Sequence, residues 1–360
     1  MHHSIGSKKP RPLLATGVLA AAALALTSCG SGGDTGGTVG STGTDGRSPN
    51  ASPVSTTDVT VTLNFLAGAP NAGFMVAKEK GYYKNVGLNV RIQEGQGSGT
   101  TASLVAAGKS QFGYADAPSA MAVAAQGGDL TIIGPILQTN GFSVMSLKKA
   151  NIHSIKDLQG KSVALQPGTA QASLFDAVLA TNGVEKSKVN IVNIDPSALV
   201  ASLLQTRVDA ITAGADSQGV QLRQQGADID EILYRDAGVP TVGLSMITQG
   251  AYAKAHPEIV KAFVEASLKG WDDARNDVEK AAKIVVNQFP AGADENAIKA
   301  QFEIDKKLLC APGSQGLGSV PDKNWNTTFD LLTKYVRLPA DKPITNYYTN
   351  DYLPQKLPAC

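Results

Sequence analysis

Histidine and cysteine are scarce in this 360-residue chain, at four and three residues. His2 and His3 stand at the very start, which leaves only His153 and His256, and no two histidines have metal-ligand spacing. No Gly-x-Ser-x-Gly elbow is present for a serine nucleophile. Gly95, Gly97 and Gly99 imitate a phosphate loop but lack both the Lys-Ser/Thr ending and the Gly-x-Gly-x-x-Gly order. The expectation is therefore no metal, no cofactor and no catalysis. Excess charge is also missing, with 32 Lys and Arg against 31 Asp and Glu. Without a basic stripe or aromatic-basic interleaving, nucleic acid is excluded as a partner. No internal repeat of about 20–50 residues is visible, which excludes a solenoid.

What is present begins with Lys8, Lys9 and Arg11, followed by a largely apolar run from Leu13 to Leu26. That run is 14 residues long, short of the roughly 20 needed to span a bilayer as a helix. A basic start, a short apolar core and small residues make residues 1–28 an export signal. Leu26-Thr27-Ser28-Cys29 resembles the lipobox of bacterial lipoproteins, in which the thiol carries acyl chains such as palmitate and the peptide is cut before it. The alternative is a buried or disulfide-bonded cysteine after an ordinary signal. The resemblance implies a chain anchored by lipid at Cys29 on the extracytoplasmic face of the cell membrane. Of residues 30–57, 19 are Gly, Ser or Thr, too few apolar groups to offset the entropy of ordering. Residues 29–57 are thus expected to be a flexible tether, spanning about 30 Å as a Gly/Ser coil. Losing the three basic residues of the signal turns the formal +1 into about −2. In an exported protein, the remaining Cys310 and Cys360 read as one disulfide pinning the C-terminal tail.

From Val59 onward the pattern is α/β. Val59–Phe65 alternates as a strand, and Ala72–Lys80 reads as a helix with Asn71 as N-cap. Asn89–Glu94, Phe112–Tyr114 and Thr131–Thr139 read as further strands, separated by helices. A second α/β stretch follows Gly141, with strands at Ser162–Leu165, Val189–Asn193 and Ala210–Thr212. This alternation predicts parallel strands covered by helices on both faces. After Ala255 long amphipathic helices begin, the first with Pro257 in its opening turn. A body of about 300 residues suits two lobes. The boundaries expected are 58–139 plus 243–360 for the first lobe and 140–242 for the second.

Four segments share one arrangement, in which a strand ends, a turn of small residues follows and a helix begins: Gly68–Asn71, Gly95–Thr101, Ala115–Ser119 and Gln166–Ala170. Helix N-termini carry unpaired N–H groups and partial positive charge, and open α/β sheets bind ligands beyond the carboxyl ends of their strands. Val76-Ala77-Lys78-Glu79-Lys80-Gly81-Tyr82-Tyr83 and Val86-Gly87-Leu88-Asn89-Val90 resemble the first helix of ABC-transporter solute-binding proteins of the nitrate/sulfonate/taurine group. Binders of thiamine-precursor pyrimidines belong to the same superfamily. Lys156-Asp157-Leu158-Gln159-Gly160-Lys161, Gln166-Pro167-Gly168-Thr169, Arg207-Val208-Asp209-Ala210 and Tyr348-Thr349-Asn350-Asp351-Tyr352-Leu353-Pro354 match in family order.

The resemblance implies an α/β, two-lobed, type II periplasmic-binding-protein fold with parallel-rich sheets flanked by helices. It implies closure on a small solute, with an ABC permease and ATPase as partners. A monomer is expected, with hinge strands crossing near Gln138–Gly141 and Pro240–Gly243. The cleft residues expected are Asn71, Gln96, Ser98, Thr100, Thr101, Asp116, Thr169, Gln171 and Asp216. Turn chemistry and N-capping account for the same residue types. Asp216 stands where taurine-type binders carry a Trp-Asp pair that meets the ligand's amine, but here Ala215 replaces the aromatic. With two carboxylates and no Arg in these loops, the reading tilts toward a solute bearing an amine or amide donor. The classes expected are sulfonates, taurine-like amines and nitrogen heterocycles. Alternatives are a ligand-sensing surface lipoprotein and an enzyme like the fungal pyrimidine-precursor synthases, whose cysteine-rich motif this chain lacks. Phe65 and Phe74 are read either as core or as ligand contacts.

Overall fold

The structure is a computed structural model whose described residues are 56–292 and 294–360. The expected export signal, Cys29 and the Gly/Ser/Thr stretch up to residue 55 lie outside the described residues. No helix among the described residues is long and apolar enough to cross a membrane.

The chain first lays down β1 (Thr57–Thr62), α1 (Ala72–Glu79), α2 (Tyr82–Asn85), β2 (Leu88–Gln93), α3 (Ser98–Ala106), β3 (Phe112–Asp116), α4 (Ala117–Ala125) and β4 (Thr131–Pro135). It then forms β5 (Phe142–Leu147), β6 (Ser162–Leu165), α5 (Ala170–Thr181), β7 (Asn190–Asn193), α6 (Pro196–Leu204), β8 (Ala210–Gly214), α7 (Gln218–Gln224) and β9 (Ile229–Leu233). Last come β10 (Leu244–Thr248), α8 (Gly250–Ala255), α9 (Pro257–Asn276), α10 (Val278–Gln288), α11 (Glu295–Asp305) and α12 (Asp322–Leu331). Two five-stranded sheets result, ordered β2-β1-β3-β10-β4 and β7-β6-β8-β5-β9.

The sheets are mixed rather than wholly parallel. In each, the fourth strand runs against its neighbours: β10 against β3 and β4, β5 against β8 and β9. These are the two strands entered directly after a crossing between sheets. A chain leaving the carboxyl end of β4 enters the second sheet from that sheet's own carboxyl side, so β5 must run backwards, and β10 does the same on return. Alternation of strands and helices carries no trace of this reversal. The crossings lie side by side. The amides of Ile136 and Leu137 donate to Leu244 O at 2.9 and 3.0 Å, and Asn140 N donates to Thr241 O at 3.0 Å. These contacts end β4 at Pro135, four residues before the strand end expected from hydropathy.

The first sheet packs against the C-terminal helices through aromatic side chains. Phe112 stacks on Phe263 of α9 with ring centroids 3.8 Å apart, and Phe74 meets Tyr114 edge-on at 5.1 Å. All four side chains are fully buried, so Phe74 is core. α1 and α9 approach backbone to backbone: a Cβ on Gly270 would lie 2.1 Å from Gly73 O, and one on Gly73 would lie 2.3 Å from the Trp271 ring. The crossing segment is braced from the C-terminal region. Gln138 Nε2 donates to Gly316 O at 2.8 Å, and its Oε1 accepts from Ala311 N at 2.8 Å. Next to Ala311, Cys310 is joined to Cys360 by a disulfide.

Because no side chain fits where α1 meets α9, Gly270→Val should destabilise the protein by about 3 kcal/mol through overpacking. Urea denaturation of the variant measures this directly. An unchanged midpoint and slope would contradict the packing described.

Candidate functional site

The reversed crossings turn the carboxyl ends of the parallel strands in both sheets toward each other, the usual location for ligands in open α/β sheets. A cavity of about 490 Å³ lies there. Asn64 and Phe65 after β1, Asp116 ending β3, Gln166 after β6 and Gly214 with Asp216 at the end of β8 all line it. Gln301 and Leu308, on α11 and just beyond it, add a further wall. The rims touch at small residues. Gly97 has φ +121°, and a Cβ there would sit 3.0 Å from Gly168 O across the opening, too close for a larger residue to be accommodated freely.

Of the nine residues expected in the cleft, six line this cavity: Asn71, Ser98, Asp116, Thr169, Gln171 and Asp216. Gln96 and Thr100 are exposed and lie off it. Thr101 is buried, and its hydroxyl donates to Leu63 O at 2.7 Å, bracing the turn from behind. A helix has one face toward a ligand, so only the first residue of the Ser98–Thr101 run reaches the cavity. Asn71 sits at the N-cap position of α1, but its side chain does not cap the helix. Its Oδ1 accepts from Gly68 N at 3.2 Å, and its Nδ2 donates to Asn64 Oδ1 at 2.8 Å. Thr169 does cap α5: its Oγ1 accepts from Ala172 N at 3.3 Å and donates to Gln166 O at 2.8 Å. Asn140 also lines the cavity, and its Nδ2 donates to Val239 O at 2.9 Å, tying one crossing to the other.

The electrostatics of the wall are one-sided. Among the described residues lining the cavity there is no Lys, Arg or His, whereas Asp116, Asp216 and Asp294 are present. Ser98 Oγ donates to Asp116 Oδ2 at 2.8 Å and accepts from Asp116 N at 3.1 Å. Burial pushes the Asp116 carboxyl up to about 7, with the Asp216 charge adding to the effect and the Ser98 bond opposing it. Asp216 is raised too, chiefly by desolvation, although its own amide and the amide and hydroxyl of Ser217 hydrogen-bond to it. Asp305, the last residue of α11, is fully buried and raised well above the carboxylate range by burial and by Asp216.

Sequence inspection did not single out Asp305. Its signal was nonetheless present, because Ala297, Ile298, Phe302 and Asp305 recur at helical spacing on the buried stripe of α11. An acid on an apolar stripe is the feature to look for.

Residues 70–281 of the chain match the NMT1/THI5-like family. The chain belongs to that family. It is 23% identical over 316 residues to a riboflavin-binding protein of Chloroflexus aurantiacus, an alignment covering 85% of this chain and 89% of that protein. A 4-amino-5-hydroxymethyl-2-methylpyrimidine phosphate synthase of Schizosaccharomyces pombe is 22% identical over 315 residues, covering 84% and 88% respectively. Among solved structures, the periplasmic aliphatic sulphonate binding protein SsuA of Escherichia coli superposes with a TM-score of 0.64 at 16% identity, covering 82% of this chain and 98% of that one. This NMT1/THI5-like chain therefore has the periplasmic-binding-protein fold.

The raised carboxyl of Asp116 links stability to pH. The unfolded chain ionises this group near its ordinary value of 3.8, whereas the folded protein holds the proton to about 7. Its contribution is fully present below about pH 4 and is lost as pH rises through about 7, on the order of 4 kcal/mol. Without ligand, Asp116→Asn should keep more of its melting temperature than the parent between pH 5 and pH 8. Parallel melting curves for the two proteins would contradict the buried carboxyl.

Proposed function

We propose that this protein is the solute-binding component of an ABC importer, exported and held at the outer face of the cell membrane by a lipid on Cys29. It captures one small organic molecule in the cleft and delivers it to the permease unchanged. The observation that carries this reading is the enclosed cavity walled by the carboxyl ends of two sheets, joined by a side-by-side pair of crossings. Such a connection allows the halves to rotate while their own cores stay packed, so solute contacts to both halves favour the closed form. Asn71, Ser98, Asp116, Thr169, Gln171 and Asp216 supply those contacts. The names of a riboflavin-binding relative and of a formylaminopyrimidine-binding protein of Halalkalibacterium halodurans support binding rather than chemistry. Against the synthase reading stand the chain's lack of a cysteine-rich motif and the absence of His, Lys and Cys among the described lining residues.

A thermal-shift screen of the full chain against small metabolites tests this reading. A true solute at a hundredfold over its Kd adds about 2.7 kcal/mol of stability, and native mass spectrometry shows it leaving with unaltered mass. Conversion of the solute on incubation would overturn the reading in favour of an enzyme. For the anchor, Cys29→Ala should move the protein from the membrane fraction to the soluble fraction of expressing bacteria, and unchanged membrane retention would refute lipidation.

A further inference from the structure

A second cavity, of about 570 Å³, adjoins the first. Gly141, Val220, Gln224 and Leu308 line both, so the two share a wall. That wall is tight: a Cβ on Gly141 would lie 2.8 Å from Leu308 Cδ1, and Val220 and Leu308 are buried. The rest is built from two regions of the chain. α7 and β9 of the second half supply Arg223, Glu231 and Leu233, with Arg235 just after β9, while α11 supplies Ile304 and Lys307 follows it. The volume falls within the range of about 300–1,000 Å³ common for small-molecule sites.

In charge this cavity is the opposite of its neighbour. Arg223, Arg235 and Lys307 line it, and among the described lining residues Glu231 alone opposes them. Glu231 is already engaged: its Oε2 accepts from Arg223 Nη2 at 2.5 Å and its Oε1 from Ser143 Oγ at 3.1 Å. Arg235 Nε stands 3.8 Å from the exposed carboxylate of Asp236, too far for a hydrogen bond. Among the described residues no ion pair reaches the Lys307 ammonium, whereas neighbouring Lys306 pairs with Glu303 at 3.5 Å. Cations gathered in a concavity with low-dielectric walls concentrate a positive potential that draws anions in. Those walls are apolar. Leu233 and Ile304 are only partly buried, and Ile304 packs on the core of the first sheet and on a cluster of the second half. Covering such faces favours a ligand with an apolar part.

We propose that this second cavity binds a small organic anion, an apolar body bearing one carboxylate, sulfonate or phosphate group, whose charge meets Arg235 and Lys307 while its body lies on Leu233 and Ile304. An Arg guanidinium holds such a group through two parallel N–H bonds, and a Lys ammonium adds a point charge. The inference does not rest on the reading of the cleft, since neither Arg235 nor Lys307 lines the first cavity. It does give the anion a place in the architecture. α11 packs on the turn Ala69–Asn71 of the first half and on α7 of the second, so an anion held by both cations ties the end of that helix to the second half.

The test is titration calorimetry of the full chain with sodium benzenesulfonate and sodium benzoate as probes, against sodium sulfate and benzyl alcohol at equal ionic strength. Sulfate carries charge without an apolar body, and benzyl alcohol carries the ring without charge. At least one aromatic anion should bind about tenfold more tightly than either control, and its affinity should fall as salt is raised. Lys307→Gln and Arg235→Gln should each weaken that probe about fivefold. Lys306→Gln removes the same charge one residue away, outside the cavity, and should leave the affinity within about twofold. Should Arg235→Gln fail to fold, Lys307→Gln carries the comparison from an exposed position. A probe seated in the first cavity is indifferent to both variants, so equal affinity in the parent, Lys307→Gln and Arg235→Gln would overturn the inference. So would benzyl alcohol or sulfate binding as tightly as the aromatic anions, or neither anion binding at all.

Discussion

The antiparallel entry of β5 and β10 is the constraint on which the rest depends. Each strand enters its sheet from the cleft side, which sets Phe142 opposite Gly214 and Leu244 opposite Asp116 in register. Had either crossing run to the far edge of its sheet, the strand ends would point away from each other and no shared cavity would form. The hydrogen bonds between residues 136–140 and 241–244 hold the two crossings together. They therefore fix the position of the cavity as well as the connection between its walls.

Much of the fold was legible because helix and strand periodicities differ and small-residue turns mark their junctions. β6, α5 and β8 are found within a residue or two of where hydropathy places them. The reversed strands were not legible, since a central strand reads as the same apolar run in either direction. For the site, residues at strand ends, such as Asp116 and Asp216, were legible from the rule that ligands sit beyond carboxyl ends. Residues within a helix start were not, because sequence alone does not say which side of α3 faces inward; hence Thr100 and Thr101 were expected in the cleft and lie off it. Asn140 and Gln301 reach the cavity from a crossing and from a helix far along the chain. Local patterns hold no information about such long-range approach.

The near-neutral composition hides a strongly polarised interior. The chain carries almost equal numbers of each charge, and basic side chains are plentiful on the surface, for example Lys148 paired to Asp228 at 2.7 Å and Lys269 to Glu265 at 2.8 Å. Exposed pairs of this kind contribute little to stability. Among the described residues lining the cavity the balance fails: Asp116, Asp216 and Asp294 are there without a Lys, Arg or His. Net charge says little about what a protein binds when the sorting of charges between surface and cavity is this uneven.

Gln138 ties the crossing to the stretch from Ala311 to Gly316, and that stretch is closed into a loop by the Cys310–Cys360 bond. Cys360 is thus tied back toward the crossing segment, over a sequence separation of 50 residues. Trimming the tail or reducing the bond would slacken the brace on the segment that joins the two sheets without touching a single residue of the cavity wall.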